Sequence, residues 1–470
     1  MLTKPNTRHG LVAALLLGGL AIFGCSGGGS SSTPVVIPPA STTPVQVSLG
    51  DAPSDWVMAF GMTVTSIMMT GPGGNTVNLV PTPSPMEMMQ LMATVQPLSV
   101  VAVPQGDYTQ ALVTFAAVSM GYMDPVSHTY KQKTMAGPFT ATVPFSPAMS
   151  VGSSPMALSF DMNMGASVSM DAAGNVTLTP TMTASLASAA GSGTNPWQGT
   201  MQHRIGSVSS VSGTQFAMAS MMGMQQSTFM TNANTQFAGT GLTGIGSMTT
   251  GMMVRVDAVM QADGTFMAQR VESMGVGASG MLGGGLVTTI TGNPPTQITL
   301  AASAGQGGGM MASSLAGTLS VAIPAATPYS IDSDGVDLTG LSFTPAFGTT
   351  SLSKGQRVDV VSSGGMVGGG MMGGVGSLTA SQLRLVQQGF HGSMSSYAAN
   401  ASQATFTLTL PSDSAFTTLT GASTIQVHQQ AGTRLHGLTA LANANVVVVR
   451  GLLFHDAGTY RLVATWIVAP

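Results

Sequence analysis

Met252-Met253-Val254-Arg255-Val256-Asp257-Ala258-Val259 is followed by Asp263-Gly264-Thr265-Phe266 and then by Ala268 to Val271. Alternating apolar and polar residues predict a half-buried strand. Asp-Gly between two such runs is a strong hairpin signal, so the stretch predicts strand, turn, strand. The unit returns at the C-terminus as Val446 to Arg450, Asp456-Ala457-Gly458-Thr459-Tyr460 and Leu462 to Val468. A middle copy offers Gln356-Arg357-Val358-Asp359-Val360-Val361, a Gly/Met loop, and Leu378 to Val386. The runs that open each copy also correspond: Ile205 to Met218, Leu286 to Leu300 and Met394 to Leu410. Three modules are therefore predicted at about 197–276, 277–388 and 389–470. Each needs about six short strands, the arithmetic of a small barrel or sandwich.

Upstream, period-2 alternation continues from Val45 to about Leu186, and a Ser/Ala/Gly break over 187–196 ends it. This region, 45–186, is predicted to be a β-sandwich, with Met86 to Met92 as its one short helical turn. Its landmarks are Asp51-Ala52-Pro53 after the first strand and Pro104-Gln105-Gly106-Asp107-Tyr108 before a later one, with Met88-Met89 between. They resemble an uncharacterised N-terminal β domain of bacterial lipoproteins, marked by D-A-P, by a leucine pair and by P-x-G-x-Y. The modules resemble a second uncharacterised family of bacterial repeats, whose strands read G-x-V-x-V-x-G followed by A-x-x-V/I. The first module matches best. These resemblances imply fold and location and bring no established activity. The whole chain is thus expected to be all-β.

The N-terminus carries an address. Lys4, Arg8 and His9 precede an apolar run from Leu11 to Phe23, shorter than the ~20 residues of a spanning helix. The run ends at Gly24-Cys25, and Cys25 is the sole cysteine of the 470 residues. It resembles a lipobox, so residues 1–24 are expected to be a lipoprotein signal peptide and Cys25 the lipidation site. Ser26 at the next position favours the outer membrane or cell surface. Residues 25–44, rich in Gly, Ser and Pro, read as a flexible tether.

Composition narrows the function. Only 6% of residues are charged, against about 25% in typical soluble proteins. Thirteen Lys+Arg against 16 Asp+Glu leave no basic field, which excludes nucleic acid as an expected partner. No P-loop is present, and the one G-x-S-x-G match, Gly24 to Gly28, falls inside the anchor. His428, His436 and His455 share a module and would need the fold to bring them together for zinc. Asp332, Asp334 and Asp337, in Asp332-Ser333-Asp334-Gly335-Val336-Asp337, have a spacing that would offer oxygen ligands to Ca²⁺, and equally the chemistry of an ordinary turn. The 37 methionines include Met366, Met371 and Met372 in a glycine-rich loop, where thioethers could hold Cu(I) or absorb oxidant. Elsewhere Met reads as core packing.

The expected function is that of a lipid-anchored cell-envelope protein, a non-enzymatic binding or structural scaffold with no cofactor. Its membrane contact would run through the lipid alone, and its partner would be an envelope polymer or a protein. The alternatives are a Met-based copper or oxidant buffer and, more weakly, a hydrolase whose site assembles only in the fold.

Overall fold

Alternation along Val45, Val47 and Leu49 buries one face of the strand Thr42–Ala52, which lies parallel to Met156–Asn163 and antiparallel to Val95–Pro104. Met182–Ser188 completes this four-stranded sheet. Against it packs a second sheet built on two long strands, Val57–Thr70 and Gly106–Met123. Val47, Leu49 and Phe160 from one sheet share a core with Phe60, Met62, Val113 and Phe115 from the other. In this computed structural model the described residues are 41–469, apart from 53–55, 72–73, 92–94, 125–126, 128, 172–173, 189–199, 221–225, 262–264, 275–280, 304–315, 334, 363–375, 401–402, 437 and 439.

Two local features explain landmarks of the sequence. Gly106 has φ +146°, which only glycine adopts comfortably, and Tyr108 then folds back so that its hydroxyl donates to the Pro104 carbonyl at 2.8 Å. The helical turn expected over Met86 to Met92 is shorter than that. Ser84–Glu87 pairs as a strand with Val57–Thr70, and only Met88–Leu91 coils, as a 3-10 turn.

The rest of the chain repeats one barrel-like strand topology three times, closed by a short contact in the first, left open at a split strand in the second and closed fully in the third. The first uses Thr200–Ser212, Gln215–Ser220, Gln226–Met230, Met253–Met260 and Phe266–Ser273 as strands 1 to 5. Strand 1 pairs antiparallel with 2 and with 4, 2 with 3, and 4 with 5, while 3 and 5 run parallel and close the circuit at Phe229–Phe266. The second uses Met281–Thr291, Gln297–Ser303, Ala316–Ala322, Arg357–Ser362 and the stretch 376–385 in the same order. Its fifth strand is split. Gly376–Thr379 runs parallel to strand 3, and Gln382–Leu385 runs antiparallel to strand 4. The third is a closed barrel of Gln388–Ala399, Ala404–Thr409, Thr424–His436, Val446–Asp456 and Thr459–Val468. Its one helix, Ala415–Thr420, drives Phe416 edge-on against Phe390 and Tyr460. The protein is all-β, with α-helix confined among the described residues to this segment and Met164–Ser167.

One device recurs in all three barrels. The first half of strand 1 pairs with strand 4 and the second half with strand 2, so the strand must bend, and each carries a register irregularity at its middle. A bulge of this kind raises local twist. Glycine sits near the bend in each barrel, at Gly206, Gly285 and Gly392. A Cβ at Gly206 would overlap the Ala219 carbonyl oxygen, and one at Gly392 the Thr409 carbonyl oxygen. Backbone atoms of a paired strand cannot swing aside. Gly392→Ala is therefore expected to destabilise the third barrel by about 1–3 kcal/mol, read as a lowered urea midpoint. An unchanged midpoint would show that the bend tolerates a side chain.

Candidate functional site

A groove of about 490 Å³ opens between the first barrel and the N-terminal sandwich. Its floor follows from strand alternation in Gln226–Met230. Phe229 points into the barrel core and stacks on Phe216 at 5.2 Å, which turns Gln226, Thr228 and Met230 to the other face. Gln215, at the start of strand 2, and Phe266, at the start of strand 5, flank them. Phe266 also leans on Phe229, with ring centroids 6.2 Å apart. The opposite wall comes from residues over a hundred positions earlier: Pro81, Thr82, and Pro97 to Val100. Arg204 is placed in the lining by a register shift between Met201 and Arg204 in strand 1. Burial lowers the pKa of its guanidinium. No carboxylate stands among the described lining residues.

A second constellation is buried between the first and second barrels. Arg255 sits in the run Val254-Arg255-Val256, opposite Glu272 on the neighbouring strand. Its guanidinium donates to Glu272 Oε2 at 2.5 Å, to Asp332 Oδ1 at 3.1 Å and to Asp332 Oδ2. Asp332 belongs to the second barrel, as does Arg384, which donates to Glu272 Oε1 at 2.6 Å. Burial would lower the Arg255 pKa, but the hydrogen bond and charge of Asp332, with Glu272 and Asp257, raise it above the usual arginine range. For Glu272, burial is outweighed by Arg255 and Arg384, and its pKa falls. Asp359 lies beside this network, paired in register with Arg384, and its Oδ1 has no hydrogen-bond partner. Burial, then the charge of Asp332, push it up to about 7 against the opposing pull of Arg384, Arg255 and Arg357. Arg450 of the third barrel is pushed down to about 10 by burial and by Arg357.

The residues singled out in the sequence are placed as follows. Asp332 is taken up by Arg255 and is not held open for a cation. Asp337 accepts from the Thr339 amide at 2.9 Å and its hydroxyl at 2.7 Å, which hold its carboxyl below the usual range. Asp334, Cys25, Met366, Met371 and Met372 lie outside the described residues. His428 is buried against Phe343 and its pKa is pushed down to about 4, by burial first and Arg461 second. His455 packs on Tyr460 instead. Among the described residues no group of three or more His, Cys, Asp or Glu could hold a metal ion. Met62, Met69, Met120, Met162 and Met218 are core residues. The charged network itself is absent from the sequence-based expectations. Its one local sign is an arginine at the centre of an otherwise apolar strand.

Residues 205–272, all within the first barrel, match a family described only as a domain of unknown function, DUF5666. No curated protein matches the chain. A crystal structure of a deletion mutant of the single-stranded DNA-binding protein from Thermus aquaticus is similar at 13% identity and a TM-score of 0.16, over 41% of this chain and 93% of that one. A count of charges over the whole chain does not exclude nucleic acid as a partner, and that exclusion is withdrawn; a protein named for binding single-stranded DNA is among the structures to which the chain is similar. At this score the likeness carries no argument about what the chain binds.

Proposed function

We propose that the protein is a lipid-anchored component of a bacterial cell envelope that works by binding, as a scaffold without chemistry of its own. The observation that carries this reading is the groove beside the first barrel. Ligand sites are concave and largely preformed, and this groove is concave, with polar side chains interleaved among apolar ones along its lining. Support also comes from how firmly its frame is held. The first two barrels share the ion pairs Arg255–Asp332 and Arg384–Glu272. The second and third share the apolar cluster Val336, Leu385, Leu452, Phe454 and Val463, with Gln356 Nε2 donating to the Leu453 carbonyl at 3.1 Å.

The address is tested through Cys25. In bacteria producing the full chain and fed labelled palmitate, the protein is expected to carry label and to sediment with membranes. Cys25→Ser is expected to lose both properties, because one acyl chain contributes about 0.8 kcal/mol per buried CH₂ and nothing replaces it. Membrane association of the unlabelled Cys25→Ser protein would overturn the anchor.

A further inference from the structure

Successive residues of a strand turn to opposite faces, so a groove that touches a run of them follows the strand's edge as well as its face. Gln226, Ser227 and Thr228 all line the groove beside the first barrel, and so does the run Pro97 to Val100 opposite. The edge at 226–228 is open. Strand 2 pairs with every residue of Gln226–Met230, whereas strand 5 reaches only Phe229 and Met230. In an antiparallel ladder alternate residues direct both backbone groups away from the partner strand. Either Ser227, or Gln226 and Thr228 together, therefore present an N–H and a C=O that no strand among the described residues receives. The third barrel shows the completed form, with strand 3 paired to strand 5 over Gln426 to Gln429 and again over Arg434 to His436. The second barrel shows what the outer face of these strands accepts. Ile298 and Leu300 of its strand 2 point into the core, and Ala301, on the outer side, packs on Met58 and Met123 from the two long strands of the sandwich. Charge narrows the occupant further. The described lining holds no carboxylate, and Arg204 is already engaged within the protein, so the groups left for an occupant are uncharged.

We infer that the groove receives an extended, uncharged segment of another protein, which adds a strand beside Gln226, Ser227 and Thr228. The inference rests on the binding reading above and adds the class of partner. In strand addition the main-chain hydrogen bonds give affinity, and pockets for alternate side chains give selectivity. The floor strand, Gln226–Met230, spans about 16 Å at ~3.3 Å per residue, which sets the segment at about five residues. Its apolar side chains have Met230, Phe266 and Val100 to meet, the last 39% exposed. Its polar ones have Thr82, Gln215 and the hydroxyl of Thr228. A segment that alternates apolar and neutral polar residues satisfies both sets. A charged side chain would lose water there and gain no partner of opposite sign.

The test is calorimetric titration of the detergent-solubilised full-length chain with a heptapeptide of alternating Thr and Val, acetylated and amidated at its ends. Two further peptides of the same sequence carry N-methyl groups, one on the Thr nitrogens and one on the Val nitrogens. A neutral galactan oligomer and an oligothymidylate complete the set. The plain peptide is expected to bind, and at least one N-methylated form to bind about tenfold more weakly or less, the scale of one or two lost hydrogen bonds. Thr228→Lys and Val100→Lys, both at exposed positions of the lining, are each expected to weaken the plain peptide several-fold, because a lysine on an edge obstructs strand pairing. Neither is expected to move the thermal midpoint. Equal affinity for all three peptides would overturn the inference, as would insensitivity of both variants. Failure of the peptide with binding of the galactan oligomer or the oligothymidylate would overturn the class of partner and leave the binding function standing. Failure of every probe would overturn both. Chromatography of the recovered peptide completes the separation, since shortened peptide would overturn the non-catalytic function.

Discussion

Arg255→Ala is expected to lower stability by about 3–5 kcal/mol, the range for breaking a buried charge network by removing one partner. The cause is what stays behind. Asp332 and Glu272 remain buried, and Glu272 keeps only Arg384 at 2.6 Å and Arg270 at 3.6 Å. Because these bonds join the first barrel to the second, the loss should also appear as a change of cooperativity. A single urea transition, followed by tryptophan fluorescence and far-UV circular dichroism together, is expected to separate into two. The quadruple variant Arg255→Met/Glu272→Gln/Asp332→Asn/Arg384→Met, which removes both cations and both carboxylates together, is expected to recover most of the loss. A decrease below about 1 kcal/mol in Arg255→Ala, the ordinary scale of a surface change, would mean that the pairs merely coexist with an interface held by Met253, Met274 and Val361.

Asp359→Asn is expected to stabilise the protein at pH 8 and to do nothing near pH 4. The folded carboxyl titrates at about 7, against 3.8 for the ordinary group. Between those values the folded protein holds a proton that the unfolded chain has released, so stability declines as pH rises from about 4 to about 7 and is level above. A displacement of about three units corresponds to roughly 4 kcal/mol at most. Asparagine carries no charge at any of these pH values and removes that decline. Asp161, pushed up to about 6 by burial, adds a decline of the same sign. His428, pushed down to about 4, acts oppositely, since stability is lost as pH falls below about 6.5 through 4. Both are common to the two proteins and cancel in the difference. Parallel urea midpoints for wild type and Asp359→Asn from pH 4 to pH 8 would refute the assignment.

The parts of this molecule set by local pattern were legible. Val254, Val256 and Ala258 mark a strand and its core face, which is buried; the other face, expected to be open, is buried too at Met253 and Arg255, against the second barrel. Ile205 to Met218 and Met394 to Leu410 were recognised as matching openings, and each supplies strands 1 and 2 of its barrel. Features set by distant pairing were not legible. The parallel contact between strands 3 and 5 rests on as few as two residue pairs in the first barrel, too little to leave a periodic trace. The bond from Arg255 to Asp332 spans 77 positions and that from Arg384 to Glu272 spans 112. Asp332 was read within its own loop, with Asp334 and Asp337, because sequence displays neighbours along the chain and conceals those across a fold. The groove was hidden for the same reason. Its floor is a five-residue strand and its far wall belongs to the sandwich.

Circular strand pairing has a further consequence for so neutral a protein. A sheet that ends in an unpaired strand offers a ladder of amides and carbonyls to any other chain, and natural proteins usually blunt it with lysine or other charges. With charged residues at 6% of the chain, that defence is scarce here. In the first and third barrels strand 5 meets strand 3 on one side and strand 4 on the other, which closes the circuit, whereas the sheet of the second ends in two short strands, Tyr329–Ile331 and Gly376–Thr379. Topology thereby supplies resistance to edge-to-edge aggregation that electrostatics would otherwise provide, and so lets a crowded, nearly uncharged array of like modules remain separate from its neighbours.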